Sequence, residues 1–388
     1  MEVRGTTPNW RKKLALTLLA SFGLAGAAEG LLRLLNFKHY PAEIPPILWN
    51  SEEDKNLKSG VGMFIDDRAQ LWVPRPGVEV PYGGAQHEHI NSAGYRGPER
   101  SRKPDPGVLR IVALGDSSTF GMGVPYPATW CAQLEARLSR SGRRAEVIDA
   151  GVIGYTIEQG LERYDALVRD LSPDIVIAAF GAFNEHLWAQ TMADRPKIEL
   201  RKVDHPIHDA LVALRYNVRL LHVVGWVLDT ARGEDREALR EAWRQQHRER
   251  DAFNVRAGFP DWPGVRRVGL QRFALALDEL DARVRQSKAE LILISMPRLP
   301  DRETESPVLA LYNKAVEDAA ARLGRPVFDA RGAVAATLRG PPAREWAELF
   351  IDDYHPSRAG HALIAAGLAP IVNSLADERS ASSPASGR

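Results

Sequence analysis

A single cysteine, Cys131, stands in a chain of 388 residues. One thiol excludes both an intramolecular disulfide framework and a thiolate metal cluster, since each needs at least two. An excess of charge of one sign is missing too: Lys+Arg is 51 against Asp+Glu 50, a formal net charge of +1. That balance leaves no global electrostatic footprint for nucleic acid. Only one long apolar run occurs, at the N-terminus, which argues against a multi-span membrane protein. With 26% charged and 44% hydrophobic residues, the composition also argues against wholesale disorder. The length allows two or three domains, or one α/β domain enlarged by insertions.

The apolar run at 14–28 follows Arg11, Lys12 and Lys13 directly. Two readings export the body of the protein. A cleaved signal would use Ala25, Gly26 and Ala27 as its small-residue site. An uncleaved anchor would continue through Leu31, Leu32, Leu34 and Leu35, giving 14–35 a helical length of ~33 Å with Glu29 and Arg33 paired one turn apart. In the anchor reading, which we favour, the basic residues of 1–13 hold that end in the cytoplasm and the remainder is periplasmic or extracellular. A soluble amphipathic helix is the third reading and exports nothing. Residues 36–106 are rich in Pro, Gly and polar side chains and are expected to form a stalk or lead-in lying over a domain. Residues 377–388 are expected to be a disordered tail.

Between these flanks, short apolar runs alternate with helical patterns. Strands are expected at 109–114, 147–148, 174–180, 291–295 and 325–329. Helices are expected around 130–140, 157–171, 269–288 and 311–323. Continuous apolar strands separated by helices imply an α/β/α sandwich with a mainly parallel five-stranded sheet. Active sites of such sheets form at the carboxyl ends of the strands. There the chain carries Gly115-Asp116-Ser117, then Gly151 to Gly154, then Gly181 to His186, with Asp352 to Ser357 near the C-terminus.

Those residue types permit acyl transfer. A serine hydroxyl becomes nucleophilic when an imidazole takes its proton, and a carboxylate fixes the imidazole tautomer. Ser117 would attack, His355 would act as base and then acid, and Asp352 would orient the ring. The oxyanion would be met by the backbone N–H groups of Ser117 and Gly154 and the side-chain amide of Asn184. Each element also has a plain structural reading: Gly-Asp-Ser as a strand-to-helix turn with an N-cap, Gly151 and Gly154 as turn glycines, Asn184 as a cap, and 352–357 as an Asx turn. His186 and His361 are further candidates for the base. The loop 115–123 is no phosphate cradle, since the required Lys is missing, and no cofactor or metal is expected.

Taken together, these blocks resemble the SGNH (GDSL-type) hydrolases. Gly115-Asp116-Ser117 matches the nucleophile block, Gly154 the glycine block, 181–184 the asparagine block, and Asp352 with His355 the final D-x-x-H block. The resemblance covers about 110–371 and reaches upstream into 90–99, which looks like the lead-in of bacterial members with an N-terminal membrane segment. It implies a flavodoxin-like fold within a hydrolase domain at 107–376, and an ester substrate of small-molecule, lipid or glycan type. Two features depart from the pattern: Glu185 follows Asn184 where Asp is usual, and one extra residue separates Asn184 from Gly181 compared with the shortest form. Asp353 adjoins Asp352, and the D-x-x-H spacing selects Asp352.

Residues 187–267 exceed what a βα connection needs and form a helical insertion. It reads either as a solvated helix on a satellite core or as a lid, with Trp188, Trp226, Trp243 and Trp262 as wall residues. The function expected is a serine esterase acting on an O-acyl ester of an envelope glycan or lipid. The alternatives are an O-acyltransferase and a non-catalytic, membrane-tethered assembly protein on the same fold.

Overall fold

A computed structural model describes residues 9–35, 37, 63–82, 86–181, 183–187, 189, 192–203, 206–231, 265–297, 307–339, 345–352 and 354–382. The chain opens with a helix, α1 (Trp10–Leu34), followed by two hairpins, β1 (Phe64–Asp67) with β2 (Leu71–Pro74) and β3 (Glu79–Tyr82) with β4 (Gln86–His89). The central unit then runs β5 (Leu109–Gly115), α2 (Ser117–Phe120), α3 (Trp130–Arg140), β6 (Ala145–Asp149), α4 (Ile157–Arg163) and β7 (Ile175–Ala179). Among the described residues of the insertion, three helices follow: α5 (Asp194–Lys202), α6 (Pro206–Asn217) and α7 (Arg219–Ala231). The chain closes with α8 (Leu270–Gln286), β8 (Glu290–Ser295), α9 (Val308–Leu323), β9 (Val327–Asp329), α10 (Ala330–Arg339), α11 (Trp346–Leu349) and α12 (Arg358–Ser382).

The five strands β6-β5-β7-β8-β9 pair in parallel throughout. Successive strand residues point to opposite faces, and both faces here are apolar. Val112, Leu114, Val176, Ala178, Leu291 and Leu293 pack under α4, α8 and α9 on one side. Ile111, Ala113, Ile175, Ile177, Ile292 and Ile294 pack under α3 and α12 on the other. The sheet is therefore sandwiched between two helical layers. In this strand order the chain turns opposite ways after β5 and after β7, and a crevice opens beyond their carboxyl ends at that switch point.

Helix α12 is apolar enough to pass for a membrane span by composition. Its Ile364, Ala365, Leu368 and Val372 are buried against α3, so it is a core helix. It also corrects the first half of the tail expected at 377–388: the helix runs through Ser382, and 383–388 lie outside the described residues. Asp377 pairs with Arg143 at 2.6 Å, and Arg379 bonds the Lys288 carbonyl at 2.9 Å and Asp174 at 3.1 Å. Those polar contacts hold a Ser/Ala-rich segment that composition alone marks as loose.

The segment before the sheet packs on its carboxyl edge. Trp72 Nε1 donates to the Ile153 carbonyl at 3.1 Å, and Tyr155 returns a hydrogen bond to the Trp72 carbonyl at 2.5 Å. Met63 and Ile90 form a small cluster with Phe120 and Ile153. Asn91 shapes the following turn by accepting from the Ala93 and Tyr95 N–H groups and donating to the Pro98 carbonyl. That turn aims Arg96 inward. Its buried guanidinium donates to the carbonyls of Phe120, Gly121 at 2.9 Å and Val124 at 2.7 Å, the chain leaving α2. Hydrogen bonds from a charged donor are worth about 1.5–3 kcal/mol, and orphaned buried carbonyls add to the loss. Arg96→Met should therefore lower the unfolding free energy by at least about 2 kcal/mol, read from urea denaturation midpoints; an unchanged midpoint would contradict this clamp.

Candidate active site

Strand β5 delivers the chain to a tight strand-to-helix turn. Asp116 is the N-cap of α2, its Oδ1 accepting the Ser118 N–H at 2.9 Å. Gly115 has to be glycine: a Cβ there would stand 2.1 Å from Thr119 Oγ1 and 2.7 Å from the Ala179 carbonyl oxygen. Ser117 thus opens α2 at the sheet edge, almost wholly buried.

The partner loop arrives from the far end of the sequence. Asp352 Oδ1 accepts the backbone N–H of Tyr354 at 2.9 Å and of His355 at 2.7 Å, an Asx turn. Its second oxygen, Oδ2, meets His355 Nδ1 at 2.6 Å. His355 Nε2 lies 2.8 Å from Ser117 Oγ. Hydroxyl, imidazole and carboxylate therefore form one continuous chain. In such a chain the serine proton can move to the ring as Oγ attacks, with the carboxylate facing the charge that develops. Burial pushes the Asp352 pKa up, but the His355 hydrogen bond, the His355 charge and the two backbone N–H groups outweigh it and hold the pKa below its ordinary value.

His361 occupies a different role. Its Nδ1 accepts the Trp130 N–H at 3.1 Å, capping the start of α3. Burial, then the charges of Arg96 and His355, push its pKa down to about 3, so the ring is neutral across the physiological range. His186 sits edge-on to Phe183, which stacks on Tyr354 at 4.2 Å. Gly154 adopts φ +79°, a conformation natural to glycine. Arg267 holds the Gly154 carbonyl at 2.9 Å. Asn184 is buried, with Nδ2 donating to Asp116 Oδ2 at 3.2 Å. The nucleophile turn and the asparagine loop are thus joined directly. Asp353, Trp188, Trp243 and Trp262 lie outside the described residues, while Trp226 is exposed on α7. Among the described residues no group of three or more His, Cys, Asp or Glu side chains could hold a metal ion.

The sequence profile of the GDSL-like lipase/acylhydrolase family matches residues 113–363, well over half of the chain. The chain belongs to that family. Among its curated relatives, an arylesterase of Vibrio mimicus is 32% identical over 73 residues, 19% of this chain and 36% of that protein. Esterase TesA of Pseudomonas aeruginosa is 31% identical over 71 residues, 18% and 35% of the two chains. The matches span about a third of the length of these relatives. Solved structures similar to this chain include an α/β hydrolase enzyme from the metagenome of Lake Arreo, Spain, at 21% identity and a TM-score of 0.43, covering 69% of this chain and 96% of that one. A lipase/acylhydrolase from Enterococcus faecalis shows 19% identity, a TM-score of 0.42 and coverages of 69% and 96%.

In this GDSL-family chain the residue after Asn184 does structural work that the sequence left unexplained. Glu185 Oε1 accepts the Ile157 N–H at 3.1 Å and so caps α4, a reach suited to the longer acid. Three further residues escaped the sequence reading. Arg267 binds Asp194 at 2.7 Å and Gln159 at 2.9 Å besides the Gly154 carbonyl. Arg163 holds the carbonyls of Ala150 and Gly94. Asp194 in turn accepts from Thr156 at 2.9 Å. An isolated Arg in a sequence carries no sign that it will be buried.

Glu185 is wholly buried, and desolvation, then the charge of Asp116, raises its pKa to about 7. Between the ordinary value of 4.5 and about 7 the native state holds a proton that the unfolded chain has released. Stability that is full below the lower value is therefore lost as pH rises through the upper, by about 3 kcal/mol in total. Glu185→Gln removes this dependence. In paired urea titrations the variant should gain on the wild type by up to about 3 kcal/mol between pH 4 and pH 8.5; parallel behaviour at both pH values would contradict the assignment.

Proposed function

We propose that the chain is a serine esterase in which Ser117, His355 and Asp352 are the catalytic residues. The observation that carries this reading is the 2.6 Å and 2.8 Å chain from Asp352 through His355 to Ser117. His355 begins neutral, with its Nδ1 proton shared with Asp352 and Nε2 accepting from the hydroxyl. Ser117 Oγ attacks the ester carbonyl carbon while its proton passes to Nε2. The resulting imidazolium faces Asp352, which stabilises it. Collapse of the tetrahedral intermediate expels the alcohol, protonated by His355 Nε2. Water then attacks the acyl-serine with the same imidazole as base, releasing the acid and restoring Ser117.

The oxyanion is met by the N–H groups of Ser117 and Gly154 and by Asn184 Nδ2. Asp116 engages one proton of that amide, fixing its orientation, and the second is the one offered to substrate. Family membership and the two curated relatives, both named as esterases, support ester hydrolysis.

The substrate we propose is an O-acyl ester of an envelope glycan or lipid, and it follows from location. Helix α1 is 25 residues long, ~37 Å at 1.5 Å per residue. Its most apolar window has mean hydropathy 1.6 and none of it is buried. We read it as a membrane anchor with the basic residues Arg11, Lys12 and Lys13 on the cytoplasmic side, which places the catalytic unit outside.

Wild-type protein should react with a fluorophosphonate probe and hydrolyse p-nitrophenyl acetate, and Ser117→Ala should abolish labelling. Asp352→Asn, which presents the wrong tautomer to the base, should lower kcat about 10⁴-fold. Asn184→Ala should lower it about 10²–10³-fold with little change in KM. Hydrolysis by Ser117→Ala within tenfold of wild type would overturn the assignment, and acyl transfer to an added glycan in place of water would convert the reading to a transferase.

A further inference from the structure

Two helices of the insertion present apolar side chains outward. On α6, Ile207, Leu211 and Leu214 recur at helical spacing and are each at least half exposed, Ile207 at 78%. On α7, Val224, Val227 and Leu228 are about half exposed, and no charged side chain occurs from 220 to 228. An apolar surface of this kind, unfavourable in water, marks a contact site.

The elbow between these helices is fastened to α1. Glu29 accepts the backbone N–H of Arg219 and of Leu220, each at 3.0 Å, capping α7 from another element. Arg33 bonds Glu29 at 2.8 Å and donates to the Asn217 carbonyl at 2.6 Å, the end of α6. The acidic residue of α1 and the basic residue one turn after it are thus both spent on holding the α6–α7 elbow, and α7 touches α1. Their depth is set by helix geometry. At 1.5 Å per residue, Glu29 lies ~27 Å and Arg33 ~33 Å beyond Arg11 along the axis, against a hydrocarbon core of ~30 Å. With Arg11 at one interface, the Glu29–Arg33 pair therefore stands at the other. Helices of 12 and 13 residues are ~18–20 Å long, too short to span and suited to lying in the interface. Trp226, also exposed on α7, belongs to the side-chain type enriched at that depth.

We propose that the α6–α7 hairpin is a second membrane contact, its apolar stripe seated in the headgroup–acyl boundary of the phospholipid leaflet from which α1 emerges. The inference rests on reading α1 as the membrane segment. Its consequence concerns the active site. The insertion is rooted beside Asn184 by a backbone ladder: Val268 N–H to the Glu185 carbonyl, Arg267 to Leu187 and Ala189 to Val265. A hairpin held in the leaflet thereby sets the height and tilt of the Ser117 cleft above the bilayer, selecting acyl esters displayed at the membrane surface.

The test uses the full chain in phosphatidylethanolamine–phosphatidylglycerol vesicles. The native Cys131 is wholly buried, so an introduced cysteine takes an environment-sensitive thiol fluorophore selectively. Leu211→Cys and Val224→Cys probe the hairpin, Leu18→Cys probes α1, and Lys314→Cys, at an exposed position on the outer side of α9, is the aqueous control. With a nitroxide placed near the top of the acyl chains, the two hairpin probes should be quenched at least about twofold more than Lys314→Cys, as contact with that boundary requires. Hairpin probes that behave like Lys314→Cys while Leu18→Cys is shielded by lipid would overturn the proposal and leave α1 as a membrane segment. An unshielded Leu18→Cys would overturn the reading of α1 itself. Hairpin probes shielded from water, unquenched by lipid and cross-linking between chains would overturn the proposal by showing a second copy on that face.

Discussion

The contact between Ser117 Oγ and His355 Nε2, 2.8 Å long, joins residues 238 positions apart, and the chemistry of the site depends on it. Neither side chain is positioned by its own neighbours alone. Ser117 is placed by the end of β5, the Asp116 cap and the Arg96 clamp on the chain that follows. His355 is placed by the Asp352 turn and by α12, whose packing on α3 is keyed by the His361–Trp130 hydrogen bond. The sheet face that α3 and α12 share, built from Ile111, Ile175, Ile177, Ile292 and Ile294, supplies the free energy that keeps the two helices in register, so an apolar core determines a polar distance.

Several residues do two jobs that sequence reasoning set against each other. Asp116 is an ordinary N-cap and also fixes the Asn184 amide. Asp352 forms an ordinary Asx turn with one oxygen and orients His355 with the other. A carboxylate has two oxygens and about four acceptor positions, so capping does not exhaust it. Buried acids carry an electrostatic cost, visible in the raised pKa of Glu185, which has Asp116 as a like-charged neighbour. The α4 N–H accepted by Glu185 offsets part of that cost.

Away from the site, charge inside an apolar helix has a similar logic. Glu29 and Arg33 would be an isolated i, i+4 pair in α1, yet both also bond the backbone of the insertion. Helix termini present unsatisfied N–H and C=O groups, and a charged pair from another element can meet both at one elbow. The insertion is thereby tied at two places, to α1 and to the Asn184 loop. It connects the apolar N-terminal helix to the asparagine loop of the site.

Much of this was legible in the sequence. The five strands, the helix at 130–140 and the order of the four blocks follow from apolar periodicity and from residue types at strand ends, both local properties. The 352–355 turn was legible for the same reason, since its Asx geometry is made within four residues. The sequence could not show that Arg96, Arg163 and Arg267 are buried, because a cation's partners here include backbone carbonyls 25, 69 and 113 positions away. Nor could it show that the Ser/Ala-rich residues 377–382 stay helical, which depends on Arg143, Asp174 and Lys288 lying alongside. The sequence by itself determined the fold class and the chemical groups offered to a substrate, because periodicity and side-chain chemistry reside in the chain. Tertiary structure alone decided which arginines are buried and where the insertion points, because both depend on surfaces that exist only after the sheet and its helices have packed.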